Sequence, residues 1–255
     1  MRCIVITGAA GNLGQRLLPH LEARGHLVRP VDRVAMPHPC SFVTDLSRPG
    51  DWHKVFAGAD TLVHLAGVGP PGAQWTDLVA DNIDAWLHVL DAASRHGVSR
   101  IVLASSVWAN RGRRTSRGVI SAGPADPGNN SYGITKALAE RTLAAFVARS
   151  GATGIAMRIG ARPPRDVTPV RIDDWEDSCW LGPNDFLTGL TLAVEVMSDG
   201  FHVVNLVSEN PTGRWSLDEA RDVLGFVPSE RYEPRGRRGR VSRLMSRLGW
   251  NLHQS

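Results

Sequence analysis

The stretch "TGAAGNLG" (7–14) constrains this chain more than any other, because Gly8, Gly11 and Gly14 follow directly on the apolar run "RCIVIT" (2–7) and open a segment of helical period. Glycine adopts backbone angles closed to other residues. It also lets backbone amides approach an anion at the positive end of a helix. Leu13, Leu17, Leu18 and Leu21 share one face of that helix, and "LVRPVD" (27–32) reads as a second strand. The opening is a β-α-β unit. Glycines that only turned the chain would not need a helix start and a strand-terminal acid around them.

The alternation continues. "TLVHLAG" (61–67) precedes a helix marked by Leu78, Ile83, Trp86, Leu87 and Leu90, and "RIVLASS" (100–106) precedes a loop and a helix over 131–149. "GIAMRI" (154–159), a helix over 184–197, a strand at 202–207 and a short helix from Ser216 complete the pattern. Each crossover must cover one face of the sheet, so we expect an α/β fold: a doubly wound parallel sheet with a small C-terminal substrate-covering lobe. Residues 1–160 form the expected core, 161–230 the lobe interleaved with it, and 231–255 a basic tail. With 42% apolar and 21% charged residues, a disordered or fibrous chain is excluded.

Asp32 ends the second strand, 18 positions after Gly14, where a carboxylate accepts the ribose hydroxyls of NAD. It would repel the 2′-phosphate of NADP. Arg33 follows at once and keeps NADP as an alternative. In "YGITK" (132–136), Tyr132 and Lys136 are one helical turn apart and lie on one face. An ammonium beside a phenol favours the phenolate, lowering its pKa from about 10 towards the range of a general base. Ser106, at the end of "LASS", is placed to hold a substrate oxygen. Asn82, on the preceding helix, is a candidate to orient the lysine.

Together "TGAAGNLG", "HLAG", "LASS" and "YGITK" resemble the extended short-chain dehydrogenase/reductase family of NAD-dependent sugar epimerases, dehydratases and dehydrogenases, a family with a Rossmann-type core. The resemblance implies phosphate contacts by Gly8, Gly11, Asn12, Leu13 and Gly14, and a ribose contact by Asp32. It implies Asp45 and Leu46 at the adenine, and Leu65, Ala66 and Gly67 at the nicotinamide half. Ser106, Tyr132 and Lys136 take the family's catalytic positions, with Asn82 in support.

Within that family the chain is most similar to the uronate dehydrogenases. "VRIDDWEDSCWLGPNDF" (170–186) resembles their substrate segment, in which Arg171 would grip a carboxylate by two parallel hydrogen bonds. Where those enzymes carry polar substrate contacts, this chain has Gly69, Val107 with Trp108, and Ala161. A site built for several hydroxyls would leave bonds unmade here, at about 1 to 3 kcal/mol for each buried group. The expected substrate is therefore sugar-like and anionic, either other than an ordinary hexuronate or one held differently, and Trp108 is a candidate to stack on its ring.

The expected reaction is hydride transfer between that substrate and NAD. An epimerase with tightly held NAD is the alternative, while the acids a sugar dehydratase needs after the serine are absent at Val107 and Trp108. A dinucleotide-binding regulator without catalysis would have little use for Ser106, Tyr132 and Lys136. The pI of about 9.4 accompanies a net charge of only +4, and no nucleic-acid motif accompanies the basic stretches 111–118 and 230–249, so no nucleic-acid partner is expected. Three scattered cysteines suggest neither disulfides nor a metal site. With no basic leader before the first strand and no apolar run of spanning length, we expect a cytoplasmic protein without membrane association. A homo-oligomer is left open.

Overall fold

β1 (Cys3–Thr7) is apolar throughout because both of its faces are covered. Ile4 and Ile6 pack against Leu17 and Leu21 of α1 (Gly14–Ala23), while Val5 turns to the other side. There it meets Trp86 and Val89 of α3 (Ala85–Arg95). The computed structural model describes residues 1–69, 73–161 and 174–232.

Among the described residues, seven parallel strands form one sheet. After β1 come β2 (Leu27–Asp32), β3 (Phe42–Val43), β4 (Thr61–His64), β5 (Arg100–Ser106), β6 (Thr153–Ile159) and β7 (Phe201–Leu206). Their order across the sheet is β3-β2-β1-β4-β5-β6-β7. The chain winds outward from β1 to β3, returns, and winds the other way from β4. The carboxyl ends of β1 and β4 therefore bound a crevice, the place where open α/β sheets bind ligands.

α3 and α4 (Ser131–Ser150) cover one face through Val89, Leu143 and Phe146. α1 and α6 (Pro183–Glu195) cover the other, where Phe186 and Leu190 are fully buried. α6 and β7 thus belong to the sheet and its cover, so the expected lobe is deeply interleaved with the core. A third apolar cluster lies at the C-terminal side, where Trp175 of α5 (Asp174–Ser178) meets Trp215 edge to face at 5.1 Å, with Val107 and Ile120 beside them. α7 (Asp218–Leu224) packs on the β7 side of the sheet, burying Ala220 and Leu224.

Two local features depart from the sequence reading. The short edge strand β3 has no counterpart in it. The helix after β4 is not continuous: α2 (Trp75–Leu78) runs into a wide, π-type turn over Val79–Asp84 before α3 resumes. Such turns hold an extra residue and often mark functional sites. Here it faces the crevice.

Candidate active site

The glycine segment forms one wall. Gly8 has a φ of 72°, and a Cβ there would lie 2.6 Å from the Ala66 nitrogen, so the first turn and the loop after β4 approach as only glycine permits. Gly14 lies against Ala9, where a Cβ would come within 2.5 Å of Cα. Gly11 is exposed and lines the crevice. α1 starts after Leu13 with no side-chain cap and no acidic residue in its first turn, and although the Gln15 amide donates to the Gly11 carbonyl at 3.0 Å, no side chain serves the first amides. An anion would complete them.

Two hollows share this wall. The first, about 320 Å³, is lined by Asp32, Asp45, Leu46, Leu65, Ala66 and Gly67 among others. Asp32 accepts from the Ala10 amide at 2.9 Å and the Val34 amide at 3.0 Å, which leaves each carboxylate oxygen a further acceptor site. The Ser47 hydroxyl and amide on Asp45 hold that carboxyl below its ordinary range. The second hollow, about 460 Å³, is lined by Asn12, Leu13, Ser106, Trp108, Tyr132 and Lys136 among others. The residues present fit a dinucleotide lying along both hollows. Glycines 8, 11 and 14 with the uncapped helix would hold its phosphates, and Asp32 a ribose.

The second hollow brings together Ser106, at the end of β5, with Tyr132 and Lys136, in the first turns of α4. Asn130 starts that helix by accepting from the Gly133 amide at 2.7 Å. Gly133 has no room for a Cβ against the Trp108 carbonyl, so the helix start rests directly on the segment after β5. The Trp108 ring stands edge-on to the Tyr132 ring at 6.4 Å.

The electrostatics differ from the sequence expectation. Burial pushes the Tyr132 phenol up to about 12, against the opposing hydrogen bond from Ser106. Lys136 does not pull it down here, because its Nζ donates to the Ala104 carbonyl at 2.9 Å and lies 5.6 Å from the Tyr132 ring centre. Burial pushes Lys136 down to about 8, with Glu140 one turn on opposing that shift. Asn82 is tied to its surroundings by its whole side chain. Its side chain accepts from the Val68 amide at 2.8 Å and donates to the Val68 carbonyl at 2.9 Å and to the Thr135 hydroxyl at 3.2 Å. These bonds fix the loop after Gly67 to Asn82 and to the start of α4.

Sequence reasoning missed the polar layer beneath these residues. Glu140 accepts from the Ser105 hydroxyl at 2.5 Å and from fully buried Arg158 through two bonds of 2.9 and 2.7 Å. His64 bonds Thr7 at 2.8 Å and packs on Trp86, and burial, reinforced by the charge of Lys136, pushes it down to about 3. The i+4 spacing of Lys136 and Glu140 was the available signal. Asp81, on the wide turn, was missed as well: it lines the first hollow and pairs with Arg33 at 2.7 Å. Among the substrate candidates, Trp108 lines the second hollow together with Gly69, Val107 and Ala161. Arg171, with residues 162–173, lies outside the described residues, as does the tail from 233.

Fold and crevice define a dinucleotide-binding enzyme of the Rossmann class. The chain belongs to the NAD dependent epimerase/dehydratase family, whose model matches residues 4–161. It is 28% identical over 235 residues to the uronate dehydrogenase of Pseudomonas putida, covering 90% of this chain and 85% of that one. It is 29% identical over 248 residues to the L-arabinose 1-dehydrogenase (NAD(P)(+)) of Haloferax volcanii, covering 90% and 97%. A solved structure of a mutated uronate dehydrogenase superposes with a TM-score of 0.79 at 27% identity, covering 91% of this chain and 83% of that one. The family's own description is NAD dependent, and the Haloferax volcanii relative is named for NAD(P)(+).

Proposed function

We propose that the chain is an NAD-dependent dehydrogenase that oxidises a hydroxyl of a small, anionic, sugar-like substrate. The observation that carries this reading is the convergence of Ser106, Tyr132 and Lys136 in one hollow that continues the glycine wall. When bound, NAD supplies the hydride acceptor. Ser106 holds the reacting oxygen, Tyr132 takes its proton, and Lys136 supplies the positive charge that makes this transfer accessible near neutral pH. That requires the ammonium to turn from the Ala104 carbonyl towards the phenol. Gly69, Val107, Trp108 and Ala161 make the substrate side less polar than a pocket for many hydroxyls, so Trp108 stacks on a ring face and Arg171 provides the carboxylate grip. Residues 161–230 contribute both to the sheet and to the substrate side, and Tyr232, which donates its amide to the Glu209 carbonyl, still belongs to the folded part.

The relatives named above support a sugar substrate, and uronate-like compounds lead the set to be tried. Nicotinamide absorbance is followed while purified protein is incubated with NAD and a panel of uronic acids, aldoses and nucleosides. Net reduction with a uronic acid is expected. Turnover of a sugar to its epimer with no net NADH would replace the dehydrogenase by an epimerase.

We propose further that the enzyme acts in the cytoplasm as a homo-oligomer. No helix among the described residues is long and apolar enough to cross a membrane. Leu87 of α3 and Ile134 and Leu138 of α4 are exposed large apolar residues on the two helices that cover one sheet face. Light scattering after gel filtration should give a mass of at least two chains, and a monomer would end that part of the proposal.

A further inference from the structure

Among the described residues, the first hollow is lined by three carboxylates and one cation: Asp32, Asp45, Asp81 and Arg33. Arg33 follows the ribose-facing Asp32 directly, where a guanidinium is well suited to bind a phosphate on the 2′ oxygen. It is not held ready for that. Its Nη2 lies 2.7 Å from Asp81 Oδ1, and Asp81, followed by Asp45 and Asp32, raises its pKa.

Asp81 arrives by an unusual route. The wide turn Val79–Asp84 presents consecutive residues to the two hollows, Asn82 to the loop that borders the second and Asp81 to Arg33 in the first. A solvated pair on a helix surface would be an ordinary finding. This one draws aside the cation at the adenosine end of the crevice, where the Asp81 side chain is only 13% exposed although that of Arg33 is 58% exposed.

We propose that Asp81 is a second determinant of cofactor choice, acting through Arg33. Asp32 repels a 2′-phosphate directly, whereas Asp81 withdraws the guanidinium that would otherwise offset that repulsion. The inference rests on the dinucleotide reading of the crevice, and its test separates the two.

Affinities of NAD and NADP for the purified full chain are measured by isothermal titration calorimetry in the wild type, Asp81→Ala, Asp81→Asn and the double variant Asp81→Ala with Arg33→Ala. Thermal melts confirm that each is folded. The wild type should prefer NAD. Asp81→Ala should shift the affinity ratio towards NADP by about tenfold or more, as expected when a freed guanidinium forms one charge-assisted hydrogen bond with the 2′-phosphate. Asp81→Asn, which keeps the shape and removes the charge, should shift it in the same direction by less. Removing Arg33 as well should cancel the gain, since the effect acts through that guanidinium. An unchanged ratio in folded Asp81→Ala that still binds NAD, or a gain that survives loss of Arg33, overturns the inference and leaves the cofactor reading standing. A folded wild type that binds neither dinucleotide overturns both.

Discussion

At the scale of single residues, the crevice holds a tyrosine whose proton is difficult to remove and a lysine whose proton is easily lost, both through burial. Their usefulness depends on each other: the ammonium is the nearby charge that can lower the phenol, and a phenolate would in turn keep the ammonium charged. Tyr132→Phe should reduce kcat by about 10²-fold to 10⁴-fold, the ordinary worth of a placed acid–base group, while calorimetry still registers NAD binding. Full turnover in that variant would remove the proposed mechanism. Lys136→Met should move the alkaline rise of kcat to higher pH, because the phenolate loses its nearest cation; an unmoved profile would deny the lysine that role.

At the scale of elements, the buried pair of Glu140 and Arg158 joins α4 to β6, and Ser105 adds β5. Breaking such a pair from one side leaves a bare charge in the interior. Glu140→Ala should therefore cost about 3–5 kcal/mol, read from urea unfolding, and Glu140→Leu with Arg158→Met should cost clearly less. Equal losses in the two variants would mean that the charges are not what matters. The same helix illustrates what could be read from sequence. β1, α1 and β2 follow apolar periodicity and glycine punctuation, so they were legible, as were the succession of strands and helices along the chain, Ser106 at a strand end, and Tyr132 and Lys136 on a helix. α4 buries Thr135, Lys136 and Glu140 on its core side, so its period reported a helix without revealing a polar layer beneath the site. Between Leu78 and Trp86 only Ile83 marks the apolar face, and a single five-residue step from Leu78 is too little to reveal the extra residue of the wide turn. The turn was therefore invisible, and the place of Asp81 on it, although Asn82 was singled out from the sequence.

At the scale of the whole molecule, one fully enclosed ring near the sheet centre carries a pH dependence. His64 has a pKa of about 3 in the fold against 6.5 when free, so below 6.5 the unfolded chain takes up a proton that the folded chain refuses. Stability is complete above 6.5 and falls as pH drops from there towards 3, by a limiting amount on the order of 5 kcal/mol. Urea unfolding at stepped pH should show this loss in the wild type and a flatter line in His64→Gln; parallel lines would mean that the imidazole finds its proton in the fold. Because α1 lacks a side-chain cap, NAD should also stabilise the entire chain, by about 2.7 kcal/mol at a hundred times its Kd, seen as a rise in melting temperature. A melt insensitive to NAD would speak against the crevice as its site. Gly133, resting on the Trp108 carbonyl, sets the terms on which such a scaffold can diversify. Val107 and Trp108 are held between Ser106 and Gly133, so a change of substrate worked at these two positions would come through their side chains and not through added backbone.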